Sequence, residues 1–389
     1  LASCIFDPAD RVLGLKVQLF LLCWFLTIVL EATRRRAHGI HVDLLLYMLL
    51  FMLVPVLSVA WYWFVDGGVP FEGLQLLKGY VLVTFAVLLY IRRIDLLPHL
   101  AGVLTILAVA VIAVFLALWF EPVLRAPLYL FGQSTGAVVL DDRDFGSGLV
   151  VLQVYFVTSP MLAISIAYFY NLARTGRTAR NKLLFGALMA TSAVAMFLSG
   201  TRTNILASIA LPLVLFLYHS KSKGITGVAF VAIVATLAMI FAGELSVFFD
   251  PSELSNNMKL SLLDDYRELF NDPVTLLLGQ GLGAYHYWSP RGSYFYVSEL
   301  TYLELVRNFG VLGSLVMLTL LVFPALYAFG INRSYPKKHI VIGYAFYLLM
   351  CASNPNLFSS MGILILAIVL ADIFRYDTDF RRQNRRGEI

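Results

Sequence analysis

Eleven apolar segments of 16–24 residues follow one another along this chain, at 13–31, 42–64, 74–91, 97–119, 149–170, 182–199, 204–219, 225–242, 303–326, 338–353 and 357–374. Runs of roughly 17–25 apolar residues have the length that crosses a bilayer as an α-helix. They are solid runs without the dyad alternation of a membrane β-barrel. With 60% of residues hydrophobic and only 14% charged, and a mean hydropathy of +0.80, a soluble globular domain is excluded. The expectation is an all-α polytopic integral membrane protein with about 11 spans.

The connecting segments alternate in charge. Arg34-Arg35-Arg36, Arg92-Arg93, Arg174/Arg177/Arg180/Lys182, Lys221/Lys223, Arg333/Lys337/Lys338 and Arg375/Arg381/Arg382/Arg385/Arg386 fall on one side and hold nineteen of the 29 Lys and Arg. An excess of basic residues marks the cytoplasmic side. The opposite loops carry Asp66, Glu72, Glu121, Asp141, Asp142, Asp144 and a long acidic segment over 243–300. The net charge of +5 therefore follows from topology and calls for no nucleic-acid partner. Cys4, Cys23 and Cys351 lack CxxC spacing, and the six histidines form no paired-ligand pattern, so no metal site is expected. This orientation leaves the chain start outside the cytoplasm, and that start is Leu1. An upstream helix giving twelve spans is the expectation, with a signal peptide as the alternative.

The pattern divides into a transmembrane bundle (1–242), a loop subdomain (243–300), C-terminal transmembrane helices (301–374) and a basic tail (375–389). The last part of that tail, 381–389, reads as a mobile flank that sets orientation. The outer loop at 120–148 holds Gly132-Gln133-Ser134-Thr135-Gly136 and an acidic run. Within the second loop, Met258–Phe270 predicts an amphipathic helix. Met258, Leu262, Leu263, Tyr266, Leu269 and Phe270 form its stripe, and Lys259, Asp264, Asp265 and Glu268 lie opposite. Such a helix either lies on the bilayer surface or caps the bundle. Asn271-Asp272-Pro273 ends it, and Gly279, Gly281 and Gly283 then give a flexible turn in which backbone can approach a ligand closely.

Arg202 stands alone between two apolar segments, on the outer side. A guanidinium beside the free N–H groups of a helix start makes an anion site, and an arginine snorkelling to headgroups explains the same residue. Arg267 sits on the amphipathic helix, where Asp264 and Glu268 offer it an intrahelical pair. Glu299 enters the 303–326 span, where the helix dipole favours a carboxylate and partial desolvation suits a general base; a plain helix-start carboxylate is the alternative. Glu304 and Arg307, spaced i,i+3, should face the bundle interior and neutralise each other. Tyr285, Tyr287, Trp288, Tyr294 and Tyr296 crowd the outer loop, either as an interfacial belt or as sugar-stacking rings. His286 is an alternative base there.

In order along the chain stand Ser199-Gly200-Thr201-Arg202, then Arg267, Pro273 and Gly279-Gln280-Gly281-Leu282-Gly283. Ser298-Glu299-Leu300-Thr301-Tyr302-Leu303 and Gly310-Val311-Leu312-Gly313 follow. This set resembles the O-antigen polymerase and ligase superfamily of bacterial inner membranes, the Wzy-type polymerases and their lipid A-core ligase relatives. Many ligases carry a histidine–asparagine pair where this chain has Ser298-Glu299, which favours the polymerase.

The resemblance implies a GT-C-like glycosyltransferase bundle with a site facing the periplasm. It also implies an undecaprenyl-pyrophosphate-linked glycan donor, a hydroxyl of a second lipid-linked repeat unit as acceptor, and anomeric inversion. Arg202 and Arg267 would hold the pyrophosphate and Glu299 would take or orient the acceptor proton. Ser199, Thr203, Gly281, Gly283, Tyr302 and His286 would line the site. No cofactor or metal is implied. Inner-membrane lipids and a chain-length regulator protein are the further partners. A lipid A-core ligase and a flippase for lipid-linked oligosaccharides are the competing readings.

Overall fold

The computed structural model describes residues 1–7, 14–33, 41–66, 71–144, 150–220, 224, 227, 254–354 and 356–386. It is about 80% helical with little sheet. Among the described residues, six helices are long and apolar enough to cross a membrane: Val42–Val65, Phe71–Arg92, Leu97–Phe120, Ala179–Leu198, Arg202–His219 and Thr301–Ile331.

In chain order the helices are α1 (Ala2–Phe6), α2 (Lys16–Ala32), α3 (Val42–Asp66), α4 (Phe71–Val81), α5 (Phe85–Arg92), α6 (Leu97–Phe120) and α7 (Arg125–Thr135). Strands β1 (Val138–Asp144) and β2 (Val150–Phe156) precede α8 (Leu162–Thr175), α9 (Ala179–Leu198) and α10 (Arg202–His219). After these come α11 (Leu254–Leu269), α12 (Pro273–Leu278), β3 (His286–Trp288) and β4 (Ser293–Phe295). The chain closes with α13 (Thr301–Leu326), α14 (Lys338–Met350) and α15 (Ser360–Arg386).

Most expected spans coincide with these helices, and two expectations are corrected. The segment 149–170 is not one helix. Val150–Phe156 is a strand paired antiparallel with Val138–Asp144, and the helix starts only at Leu162. A valine-rich run with one polar residue, Val150-Val151-Leu152-Gln153-Val154, suits a strand, and Ser159-Pro160 separates it from the helix. The tail is also helical as far as Arg386 rather than a mobile flank. The expected span at 225–242 and the loop start at 243–253 lie outside the described residues, apart from Gly227.

The chain divides into two compact units, each assembled from three segments. The first comprises Leu1–Val12, Pro98–Ser261 and Ile342–Met350. Here α8, α9 and α10 pack together, and Ser165 and Ser192 share a buried 2.9 Å hydrogen bond between α8 and α9. Thr178 caps α9 by accepting from the Asn181 N–H at 3.2 Å, the usual use of threonine at a helix start.

The second unit comprises Leu13–Leu97, Leu262–Val341 and Cys351–Ile389. In it α13 packs against α3, and α15 packs along α5. Tyr47 of α3 donates to the Leu320 carbonyl of α13 at 2.6 Å. The polar end of α15 is fixed by ion pairs: Asp372 accepts from Lys337 at 2.7 Å and Arg375 at 2.6 Å, and Asp377 accepts from Arg381 at 2.7 Å. These partners account for the helix continuing past its apolar stretch.

Candidate functional site

The expected site residues fall in both units. Ser199, Thr203 and Arg202 belong to the first, and Arg267, Gly281, Gly283, His286, Glu299 and Tyr302 to the second.

Around Arg202 the sequence builds a tight turn between α9 and α10. Gly200 has φ +72°, and a Cβ there would sit 2.7 Å from the Gln153 side chain of β2, so the turn needs glycine on both counts. Thr201 caps α10 by accepting from the Asn204 N–H at 3.3 Å. Ser199 is fully buried; its hydroxyl donates to the Met196 carbonyl at 2.6 Å and accepts from the Asn204 amide at 2.8 Å. The Ser199 hydroxyl is therefore used inside the turn. Arg202 opens α10, two residues earlier than the apolar run alone places the helix start. Its guanidinium donates to the side-chain oxygen of Asn256, on α11. Sequence reasoning missed Asn256; nothing but its polar neighbourhood, Ser255-Asn256-Asn257, marked it. The Thr203 hydroxyl and the side-chain amide oxygen of Asn204 are buried without a hydrogen-bond partner.

In the second unit the amphipathic helix caps its own subdomain. Leu262, Tyr266 and Trp288 are buried together, with Leu269, Phe270, Leu300 and Leu303 packed on them. Four of the six residues expected in the stripe, Leu262, Tyr266, Leu269 and Phe270, are in this cluster, whereas Leu263 is exposed. This packing leaves Arg267 on the exposed face, and no carboxylate among the described residues pairs with it. The intrahelical pairing with Asp264 or Glu268 does not form.

The pair Glu304 and Arg307 is the organising feature of this unit. Arg307 is fully buried, and all its donor nitrogens are used. It donates from Nε to Glu304 Oε2 at 2.9 Å and from Nη2 to Glu304 Oε1 at 2.5 Å. Its further bonds go to Gln280 Oε1 at 3.2 Å and to the carbonyls of Ala284 and Tyr296, each at 2.8 Å. The Tyr266 hydroxyl donates to Glu304 Oε2 at 2.9 Å. Burial, then the Glu304 charge, push this phenol well above its usual range. One ion pair thus ties α11, the glycine turn and the β3–β4 hairpin to α13. Spacing predicts the pair; the loop partners are invisible in sequence because they lie eleven or more residues away.

Within α13 the backbone breaks at Gly310, with φ 63° and ψ 178°. The freed carbonyls are taken up from outside the helix: that of Arg307 accepts from the Gln280 N–H at 2.6 Å, and that of Asn308 from the Ser58 hydroxyl at 2.5 Å. Gly281 and Gly283 are buried at φ +97° and +91°. A Cβ on Gly281 would stand 2.5 Å from Tyr62 Cβ, and one on Gly283 would stand 2.3 Å from the Gly73 nitrogen. The close approach these glycines permit is to the chain's own helices.

His286 stacks edge-on against Trp288 at 4.7 Å. Burial, then the Arg307 charge, lower its pKa from 6.5, and Asp265, Glu304 and Glu268 offset this only in part. The imidazole is accordingly neutral at pH 7, the state of a proton acceptor. Glu299 is half-buried two residues before α13, and its carbonyl accepts from the Thr301 N–H at 3.1 Å. Tyr302 is half-buried in the first turn of α13.

Neither a family model nor a curated protein matches the chain.

Proposed function

We propose that the chain is a metal-independent, inverting glycosyltransferase of the Wzy type. In this reading it polymerises undecaprenyl-pyrophosphate-linked oligosaccharide repeat units at the periplasmic face of a bacterial inner membrane. Arg267 holds the pyrophosphate and stabilises the charge that grows on it as the glycosidic bond breaks, and the resemblance of the motifs gives Arg202 a part in the same reaction. Glu299 accepts or orients the acceptor hydroxyl proton, with neutral His286 as the second base.

One observation carries the reading. The exposed guanidinium of Arg267 has no ion pair among the described residues, although its helix is fixed through Leu262 and Tyr266. A cation held in place with its donors unspent suits an external anion. The broken helix α13 is a feature of transporters as well. Here, however, Gln280 and Ser58 occupy the carbonyls of Arg307 and Asn308, which favours surface chemistry over transit.

The test is a polymerase-deletion strain complemented with Arg202→Ala, Arg267→Ala or Glu299→Gln, with glycans displayed on a gel. Loss of polymerase leaves a single repeat on the lipid core; loss of a ligase leaves undecaprenyl-linked polymer and bare core. Normal ladders from all three variants at normal expression would discard the assignment.

A further inference from the structure

The short helix α12 exposes three apolar side chains: Val274 is 53% accessible, Leu277 49% and Leu278 45%. Its level relative to the membrane follows from two neighbours. Helices α3 and α13 run antiparallel in register, with Ser58 bonded to the Asn308 carbonyl, Val54 beside Gly313, and Tyr47 bonded to the Leu320 carbonyl. Gly310 therefore lies level with the stretch between Val54 and Ser58, some nine residues below the end of α3 at Asp66. At 1.5 Å per residue that is about 13 Å.

The apolar part of α3, Val42–Val65, has 24 residues and is about 36 Å long, against a hydrocarbon core of about 30 Å. Centring the helix leaves about 3 Å outside at each end, so Gly310 sits about 10 Å inside the hydrocarbon. The α12 backbone touches it there, for a Cβ on Gly310 would be 2.1 Å from the Leu277 carbonyl oxygen.

We propose that Pro273–Leu278 is a re-entrant helix that dips into the leaflet in which α3 ends, with Val274, Leu277 and Leu278 against lipid acyl chains. Its length agrees with its depth. Six residues make about 9 Å of helix, which takes the chain from exposed Asn271-Asp272 at the headgroups to the level of Gly310. On α13, just past Gly310, Val311, Leu312 and Leu315 are likewise exposed, at 43%, 59% and 65%. Trp63 and Phe64, exposed at the end of α3, sit where interfacial aromatics collect.

The return path meets the rule that non-helical backbone at membrane depth must be satisfied by protein. The Gly279 carbonyl accepts from Trp61 Nε1 at 3.1 Å, the Gln280 N–H donates to the Arg307 carbonyl, and the Leu282 N–H donates to the Ser58 hydroxyl at 2.8 Å. The inference is independent of the reaction proposed above, because it concerns only what covers α12.

Spin labels at Val274→Cys and Leu277→Cys test it, in nanodisc-embedded protein with Cys4, Cys23 and Cys351 replaced by alanine. Labels at Leu312→Cys and Asp264→Cys give the lipid and water references. Both α12 labels should match Leu312, accessible to oxygen and shielded at least fivefold from a water-soluble nickel relaxant relative to Asp264. Equal nickel access at Leu277 and Asp264 overturns the proposal. Shielding from both relaxants also overturns it, since a protein partner or second copy would then cover the face. The unaltered chain gives a second readout: lipids with a diazirine in the acyl tail should label the peptide holding 273–278. Labelling of α13 without labelling of that peptide counts against the helix being in the lipid.

Discussion

Two arginines of the second unit, one in its interior and one on its surface, differ in what the protein does with their donors. Arg307 is wholly buried and spends its nitrogens on Glu304, Gln280 and the carbonyls of Ala284 and Tyr296. Arg267 stands exposed on an anchored helix with no pair among the described residues. A guanidinium has five N–H donors and no acceptor. Where the protein satisfies them itself, the residue is architecture; where it leaves them over, as at Arg267, the donors are open to the anion proposed above. Charge in an apolar chain therefore does not mark function until its partners are counted.

The largest effect should come from breaking the saturated arginine. Removing one partner of a buried pair costs about 3–5 kcal/mol, because the other charge is left stranded. Arg307→Ala and Glu304→Gln should each lower thermal stability sharply in nanodiscs. The double variant Glu304→Leu with Arg307→Met should be less damaged than either single one. Equal or greater damage in the double variant would show that the hydrogen bonds to the loop, rather than charge neutrality, hold the network.

The exposed Arg267 should behave in the opposite way. Arg267→Ala should leave the melting temperature within about a degree, because exposed substitutions usually shift stability by less than about 0.5 kcal/mol. Transfer from a lipid-linked donor should fall by about 10²–10³, or roughly 3–4 kcal/mol of lost charge stabilisation. Arg202→Ala should lose similar activity with a small stability cost through Asn256. A melting loss at Arg267 matching that at Arg307 would erase the distinction between them.

A smaller effect tests the glycine that lets the network reach the loop. At φ 63° and ψ 178°, Gly310 occupies a region that is essentially glycine-only. Gly310→Ala should cost at least about 1–3 kcal/mol in strain and push α12 off α13, read as lower thermal stability with faster proteolysis near Gly279.

The helices of this fold were legible because hydropathy needs no partner: α3, α6, α9 and α13 follow from composition over a window. The strand at Val150–Phe156 was not, since a short apolar run beside Leu162–Tyr170 reads as one long helix until its partner strand is known. At the site, i,i+3 spacing disclosed the Glu304–Arg307 pair and apolar spacing disclosed the buried face of α11. The role of Gly281 and Gly283 stayed hidden, because the groups they approach, Tyr62 and Gly73, are some two hundred residues away. The carboxylates next to Arg267 misled for a related reason: an adjacent charge in sequence offers a pair, and solvent on the exposed face removes most of its benefit.

The smallest effect concerns Asp272, which holds the entry to α12. Its carboxylate accepts from the Thr275 hydroxyl at 2.7 Å, the Thr275 N–H at 3.0 Å and the Val274 N–H at 3.3 Å. The bonds from Thr275, hydroxyl first, hold its pKa below 3.8. A carboxyl depressed on folding contributes its full stabilisation above the unfolded value of about 3.9 and loses it as pH falls through the folded one. A spin label at Leu277→Cys should therefore stay shielded from water down to about pH 4 and gain exposure only below that. Asp272→Asn keeps a capping oxygen without a titrating group, so its label should show no acid response. Asp272→Ala should be more exposed at every pH. A response with its midpoint above about pH 5 would belong to another group, and the cap could not then be what fixes the start of α12.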